Sequence, residues 1–434
     1  MSDGLILGGW RGTLGVYLNR RQLAIFLMGF SSGLPLLLGF STLSYWLAKE
    51  GVALAAIGGL LTVGTPYSFK FLWAPAIDHL RLPVLTKLLG RRRGWALFLQ
   101  ILLVCGILAL GAGDPTESLL YMAGMAVLVA FLSASQDIVV DAYRIEILEP
   151  EEQGAGAAMT QAGYRFGLLA AGAGALALAD FLDWFWVYAI MAALVGFGML
   201  GVLIGPEPKR PPQERAERSV GQWLHHALVE PFTDFTQRRS WLAILLFVLL
   251  YKYGDAVAGA MANPFYVQLG FTGVEIASVT KVFGVVATLL GVFAGGVLVA
   301  KAGVWRALLI GGLLQAATNL IFAWLAGRGA DIGALTIAVG ADSFTGGLGS
   351  AAFVAYLSGL CNRAFTGTQY ALLTSLMAFG RTVLASASGF MAASFGWAGF
   401  FILTTGLALP ALLLLLWLWR VDREPVEAVR QQAD

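Results

Sequence analysis

The chain has 434 residues, 58% of them hydrophobic and 12% charged, with a net charge of +2 and a mean hydropathy of +0.76. A soluble domain is about a quarter charged, so this composition excludes a water-soluble globular protein and implies a polytopic α-helical membrane protein. No basic cluster is interleaved with aromatics, which leaves no reason to expect a nucleic-acid partner, and Cys105 and Cys361 make no disulfide framework.

A membrane-crossing helix needs about 20 apolar residues. Twelve such segments are expected, at Gln22–Ala48, Leu54–Ile77, Gly94–Ala112, Leu119–Leu148, Gly154–Ala179, Phe185–Ile204, Trp241–Gln268, Gly273–Val299, Trp305–Ala326, Ile332–Leu360, Thr366–Ser394 and Trp397–Trp419. The first is too long for a signal peptide and is read as a retained span. Basic residues concentrate in alternate loops: Arg81, Lys87, Arg91, Arg92 and Arg93, then Lys209, Arg210, Arg215, Arg218, Arg238 and Arg239. The intervening loops are short and largely acidic, which places both termini in the cytoplasm.

Residues 1–21 are then a cytoplasmic segment, 22–204 and 241–419 two six-helix bundles, 205–240 a cytoplasmic linker and 420–434 a tail. The linker opens on Gly205-Pro206-Glu207-Pro208, which breaks a helix. Val220, Trp223, Leu224, Ala227 and Leu228 follow at the spacing of an amphipathic surface helix.

Charges inside the apolar segments carry the functional signal. Asp137 and Asp141, four apart, share one helix face, and a carboxylate at bilayer depth faces a partner or a wet path. Asp137 and Arg165 each lie about fourteen residues, or about 21 Å, from the turn near Glu151, so a lateral pair between them is expected. Asp141 lacks so evident a partner, which makes it the better proton carrier. Lys252 and Asp255 share a face on the seventh segment, where Asn263-Pro264 is expected to interrupt the helix. Lys70, Lys281, Asp342 and Arg381 complete the set.

Plainer readings stand beside these. Asp137–Arg165 and Lys252–Asp255 also read as self-neutralising structural pairs, and Lys281 as a snorkelling side chain. Asp78 and Arg81, with Arg91 and Arg92, read as a conformational latch and topology signal rather than a substrate site. His79, His225 and His226 form no metal or triad pattern, and no Gly-Lys-Ser/Thr follows Gly154-Ala155-Gly156 or Gly172-Ala173-Gly174. No metal, cofactor, ATP coupling or enzymatic activity is therefore expected.

The stretches Leu27–Leu36, Lys70–Pro75, Gly90–Trp95, Ser133–Val139, Gly154–Ala158, Tyr164-Arg165, Leu250–Ala256, Cys361–Arg363 and Thr368–Leu373 together resemble the AmpG family of muropeptide permeases. The resemblance implies an all-α membrane protein of the major facilitator fold, with the substrate site near the midplane between the halves. It also implies proton-driven import of anhydromuropeptides (GlcNAc-anhydroMurNAc peptides) across the bacterial inner membrane, which recycles cell-wall fragments and feeds β-lactamase induction. Lys70, Asp137, Asp141, Arg165, Lys252, Asp255 and Arg381 fall on charged positions of the family pattern, and Asp342 falls where a Glu is expected.

The expected roles are proton coupling for Asp137, Asp141 and Asp342, and substrate binding for Lys70, Gln136, Gln161, Arg165, Lys252, Asp255, Asn263, Lys281 and Arg381. Asp78, Arg81, Arg91 and Arg92 would gate. A muropeptide offers carboxylates that Arg binds as a fork and Lys as a point charge. The expected partners are the muropeptide, protons and the lipid bilayer, with the chain a monomer. Import of another bulky anion, such as a coenzyme A thioester, is a second reading. A non-transporting membrane sensor is a third, though the central segment is short for an output domain.

Overall fold

The computed structural model describes residues 17, 19–52, 63–208, 229–383 and 387–431, with side chains described except at 381–383 and 422–431. The amphipathic stretch Val220–Leu228 with His225 and His226, residues 1–16, and residues 54–62 of the second expected segment lie outside them. Every regular element among the described residues is helical.

Nine stretches among the described residues are long and apolar enough to cross a membrane: Arg20–Lys49, Arg91–Gly111, Leu119–Ile147, Trp184–Ile204, Trp241–Gln268, Gly273–Ala302, Val304–Ala326, Ile332–Gly359 and Ser388–Val421. The helices used below are α1 (Arg20–Gly39), α2 (Arg91–Gly111), α3 (Leu119–Ile147), α4 (Gln153–Leu169), α5 (Gly196–Ile204), α6 (Tyr253–Ala260), α7 (Gly284–Ala302), α8 (Val304–Leu325), α9 (Ile332–Gly359) and α10 (Thr366–Val383).

Local chemistry sets several ends. The Asn19 side chain accepts from Gln22 N at 2.8 Å and starts α1, and Ser118 does the same for α3 through Tyr121 N. Gly396, at φ 63, turns the chain between the eleventh and twelfth expected segments. The seventh segment breaks at Tyr251–Lys252 and again at Met261. The second break precedes the expected Asn263-Pro264 interruption, because Pro264 sits in the first turn of Ala262–Gln268, where its missing N–H breaks no bond.

The chain forms two compact units: Met1–Pro231 with Leu360–Ser375, and Phe232–Gly359 with Leu376–Asp434. In the first, Ala24, Ile25, Met28, Leu34 and Leu38 of α1 join a core with Leu103 of α2 and Val129 of α3. There α1 meets α4 backbone to backbone. A Cβ at Gly29 would lie 2.6 Å from the Thr160 carbonyl oxygen, and Cβ atoms at Gly33, Gly163 and Gly167 would overlap the carbonyls of Tyr164, Phe26 and Phe30. Both helices thus carry small residues four apart, the spacing that lets membrane helices touch.

The second unit repeats the device. Gly291 and Gly295 of α7 lie on the backbone of Phe344 and Leu348 in α9, and Gly347 of α9 lies on Thr288 of α7. An aromatic cluster completes its core, with Phe265 and Phe401 4.8 Å apart and Phe322 stacked on Phe401 at 5.2 Å.

Gly163→Leu is expected to lower stability by about 1–3 kcal/mol, because the added side chain has only backbone to displace. Gly39→Ala is the control, since a Cβ there meets nothing within 4 Å. Thermal melts of the purified protein check this; equal melting temperatures for Gly163→Leu and wild type would refute the packing account.

Candidate functional site

The densest charge network lies in the first unit, at the start of α2. Gly90, at φ 92, has the Glu207 carboxylate against its Cα. That carboxylate accepts from the N–H groups of Arg92 at 2.9 Å and Arg93 at 3.1 Å, satisfying two orphan donors of the helix start. Arg92 then reaches two acids: its Nη2 lies 2.7 Å from Asp78 Oδ1 and 2.5 Å from Glu146 Oε1. Arg91 pairs with Glu146 at 3.4 Å and donates to the Asp78 carbonyl.

Asp78 is fully buried and Arg92 is 1% exposed. The remaining capacity of Asp78 goes to the start of α10: Oδ1 accepts from Gly367 N at 3.3 Å, and Oδ2 from Thr368 N at 2.7 Å and Thr368 Oγ1 at 2.8 Å. A carboxylate at a helix N-terminus meets unpaired donors and a favourable dipole. Burial alone would push the Asp78 carboxyl up, but Arg92, Arg91 and Thr368 outweigh it and hold the group below the usual carboxylate range. Of the expected latch residues, Asp78, Arg91 and Arg92 come together, with Glu146 and Thr368 as partners not foreseen. Arg81 is exposed and takes no part in these bonds.

On α3, Asp137 and Asp141 are both half-buried. Asp137 accepts from the Ser32 hydroxyl and lies in the field of Lys70, itself only 7% exposed. Asp141 lies 3.7 Å from Arg144 Nη2, at an i, i+3 spacing. Arg144 is fully buried and also lies over the Tyr370 ring at 5.4 Å. This corrects the expectation that Asp141 lacks a partner. Gln136 is fully buried, and its amide donates to Ser31 and Ser32 at 3.1 Å each.

The expected Asp137–Arg165 pair does not form among the described residues. Arg165 lies two residues from both Gly163 and Gly167, which face α1. Two residues are about 200° around a helix, so Arg165 points away from α1 and is exposed. Depth matched; azimuth did not. Gln161, on the same helix, is half-buried.

In the second unit, Lys252 stands just before α6, with Nζ 3.3 Å from Asp255 Oδ2 and 2.7 Å from Gln315 Oε1 of α8. Thr318, one turn along α8, donates to Asp342 Oδ1 of α9 at 3.3 Å. Asp342 also senses the charges of Asp255 and Lys252. Asn263 and Lys281 are exposed and join none of these contacts, and the Arg381 side chain lies outside the described residues. Among the described residues no group of His, Cys, Asp and Glu is placed to hold a metal ion.

Breaking a buried pair by removing one partner costs about 3–5 kcal/mol, and Asp78→Asn is expected to fall in that range. The folded Asp78 holds its proton less tightly than the unfolded one. Its contribution is therefore complete above the unfolded value of about 4 and fades as pH falls through the lower folded value. The melting-temperature gap between wild type and Asp78→Asn should thus stay constant from about pH 8 to about pH 5 and narrow only in stronger acid; a gap that closes near neutrality would contradict the network.

Residues 22–341 and 253–434 match the Major Facilitator Superfamily profile. The anhydromuropeptide permease of Escherichia coli (strain K12) is 40% identical over 419 residues, covering 96% of this chain and 82% of that protein. The AmpG 4 protein of Rickettsia felis is 36% identical over 405 residues, covering 93% and 97%. Among solved structures, the human organic anion transporter MFSD10 superposes with a TM-score of 0.63 at 17% identity, over 92% of this chain and 98% of its own. A variant of the E. coli fucose:proton symporter FucP gives 0.66 at 13% identity, over 92% and 97%; at these identities the likeness speaks for the fold alone. The chain belongs to the major facilitator superfamily and, within it, to the AmpG family.

Proposed function

We propose that this protein imports anhydromuropeptides across the bacterial inner membrane, driven by the proton gradient. The observation that carries the reading is 40% identity, over 96% of the chain, to a protein named an anhydromuropeptide permease. The topology we propose has twelve spans in two bundles, 22–204 and 241–419, joined by the linker 205–240. The 1–21 segment and the 420–434 tail face the cytoplasm, in keeping with the basic loops.

Within this reading the two units do different work. Lys252 anchors a substrate carboxylate, with Arg381 and Arg165 as further cations and Lys70 near the α3 acids. Asp137 and Asp141 serve proton coupling, as does Asp342 in the second unit. Between the α3 acids, Asp137 is the stronger candidate: Asp141 is tied to Arg144 at 3.7 Å, whereas no ion pair holds Asp137 among the described residues. A carboxylate with a hydroxyl partner and no ion pair exchanges a proton more readily than one held by a guanidinium. Asp78 with Arg91 and Arg92 acts as the gate, because releasing the start of α10 requires opening the bonds of Gly367 and Thr368 to Asp78.

Uptake of radiolabelled anhydromuropeptide into vesicles, with and without a protonophore, tests the reading. Uptake should collapse when the gradient does, and excess unlabelled anhydromuropeptide should compete where a coenzyme A thioester does not. Asp137→Asn is expected to abolish gradient-driven accumulation while leaving exchange of internal for external substrate. Lys252→Met should weaken uptake about tenfold at low substrate, the loss of one hydrogen bond to a charged group. Undiminished accumulation in Asp137→Asn would move the coupling role elsewhere.

A further inference from the structure

The α8 helix carries no charge between Arg306 and its end, yet it places Gln315, Thr318 and Asn319 on one face at i, i+3 and i+4. All three are buried, at 8%, 3% and 2% exposure. Three polar side chains on one stripe of an apolar helix, turned inward, need a reason. Two are engaged with groups on other helices: Gln315 with Lys252 at 2.7 Å and Thr318 with Asp342 at 3.3 Å. This helix therefore joins an ammonium and a carboxylate that lie 90 residues apart in sequence.

The space around Gln315 is made by glycine. A Cβ at Gly349 of α9 would lie 3.1 Å from Gln315 Oε1 and 3.5 Å from Lys252 Nζ, and one at Gly346 would lie 3.2 Å from Gln315 Nε2. The amide thus packs against bare backbone, where an added Cβ would crowd it, and the ammonium lies just beyond. On the other side, Gln315 and Asp255 line a small pocket with Tyr251, Gly312 and Ala408.

An ammonium has three N–H donors. Gln315 Oε1 takes one and Asp255 Oδ2, at 3.3 Å, a second. The third takes no hydrogen bond among the described residues, where Nζ also lies 6.0 Å from the centre of the Tyr251 ring, and the side chain keeps 18% of its surface exposed. We propose that Gln315 is a positioning residue: with Asp255 it fixes the Lys252 ammonium so that its one uncommitted N–H is aimed at an incoming substrate carboxylate. Gln315 suits the role better than a second acid, because a neutral acceptor orients the cation without adding to the negative charge that Asp255 already sets beside it. The inference rests on the reading of Lys252 as an anchor and adds what holds that anchor in place.

Two measurements keep the two ideas apart. Thermal melts of purified protein carrying Lys252→Met, Asp255→Asn and both give the coupling between those residues as the departure from additivity. In a Gln315→Leu background that coupling should fall by at least about half, because among the described residues no other hydrogen-bond acceptor then holds the ammonium toward Asp255. The result does not depend on any substrate, so it decides the positioning claim even if wild-type protein takes up no muropeptide; absent uptake would sink the transport reading alone.

In the uptake assay, Gln315→Leu should raise KM for labelled anhydromuropeptide about tenfold with Vmax nearly unchanged. Gln315→Glu, which keeps the acceptor oxygen but sets a second negative charge beside the ammonium, should retain the coupling in the melts while leaving KM raised. Gly349→Ala, which crowds the same amide without removing it, should raise KM in the same sense. Unaltered coupling in the melts overturns the proposal, as does a fall in Vmax at constant KM in both Gln315→Leu and Gly349→Ala.

Discussion

Taking an ion out of water costs several kcal/mol even after the surroundings relax, and the two units meet that cost in different ways. In the first, Asp78 and Glu146 face Arg91 and Arg92, two charges of each sign. The start of α10 supplies the donors that Asp78 still lacks. Such a set is closed: it neither needs nor welcomes another ion. In the second unit one ammonium, Lys252, serves two carboxylates, Asp255 and Asp342, and neutral dipoles from α8 fill the gaps. That set leaves an ammonium N–H without a hydrogen bond among the described residues, which a ligand can take. The closed network suits a latch, the open one a site that exchanges something.

Close helix approach is what makes either arrangement possible. The contacts of α1 with α4 and of α7 with α9 run through glycine, so backbones rather than side chains set the spacing. The same economy of volume at Gly346 and Gly349 admits a glutamine amide and a lysine ammonium where apolar side chains would have sealed the space. Packing and electrostatics are therefore one problem here. A methyl group added on α9 would crowd the amide that holds a cation from another element.

The nine long apolar stretches among the described residues were legible because about 20 apolar residues in a row seldom form anything but a membrane-crossing segment. The acids of α3 and the Lys252–Asp255 pair were legible too, since a charge in such a run stands out and spacing puts neighbours on one face. Arg144 stands three residues after Asp141, a local pair that depth along the helix does not reveal. Arg165 shows the opposite failure: its distance along the helix was readable, its direction was not, because that direction is set by which face α4 gives to α1. Thr368 and Glu146 reach Asp78 and Arg92 only through tertiary contact, and no local pattern announces them. Gln315 and Thr318 escaped for another reason, being uncharged residues in a helix whose composition reads as lipid-facing filler.

The glutamines show how one residue type divides its labour. In the first unit, Gln100 of α2 reaches Ser31 of α1 at 3.4 Å, and Gln136 of α3 reaches Ser31 and Ser32 at 3.1 Å. Their partners are hydroxyls, so this network fastens three helices without fixing a charge. It nevertheless ends on one, because Ser32 turns its own proton toward Asp137. If Asp137 takes up a proton, its carboxyl changes from acceptor to donor, and the Ser32 hydroxyl must turn to receive it. The buried Gln136 Oε1, on the amide that already donates to Ser32, has no donor in the present arrangement and can accept from a hydroxyl so displaced. A buried acceptor left unpaired costs about 1–3 kcal/mol, so the deprotonated state holds a polar deficit that protonation can relieve. A link between a proton on Asp137 and helix packing then needs no long-range wire: it requires one serine, Ser32, in contact with both the acid and the Gln136 amide that binds α1 to α3, to turn its hydroxyl.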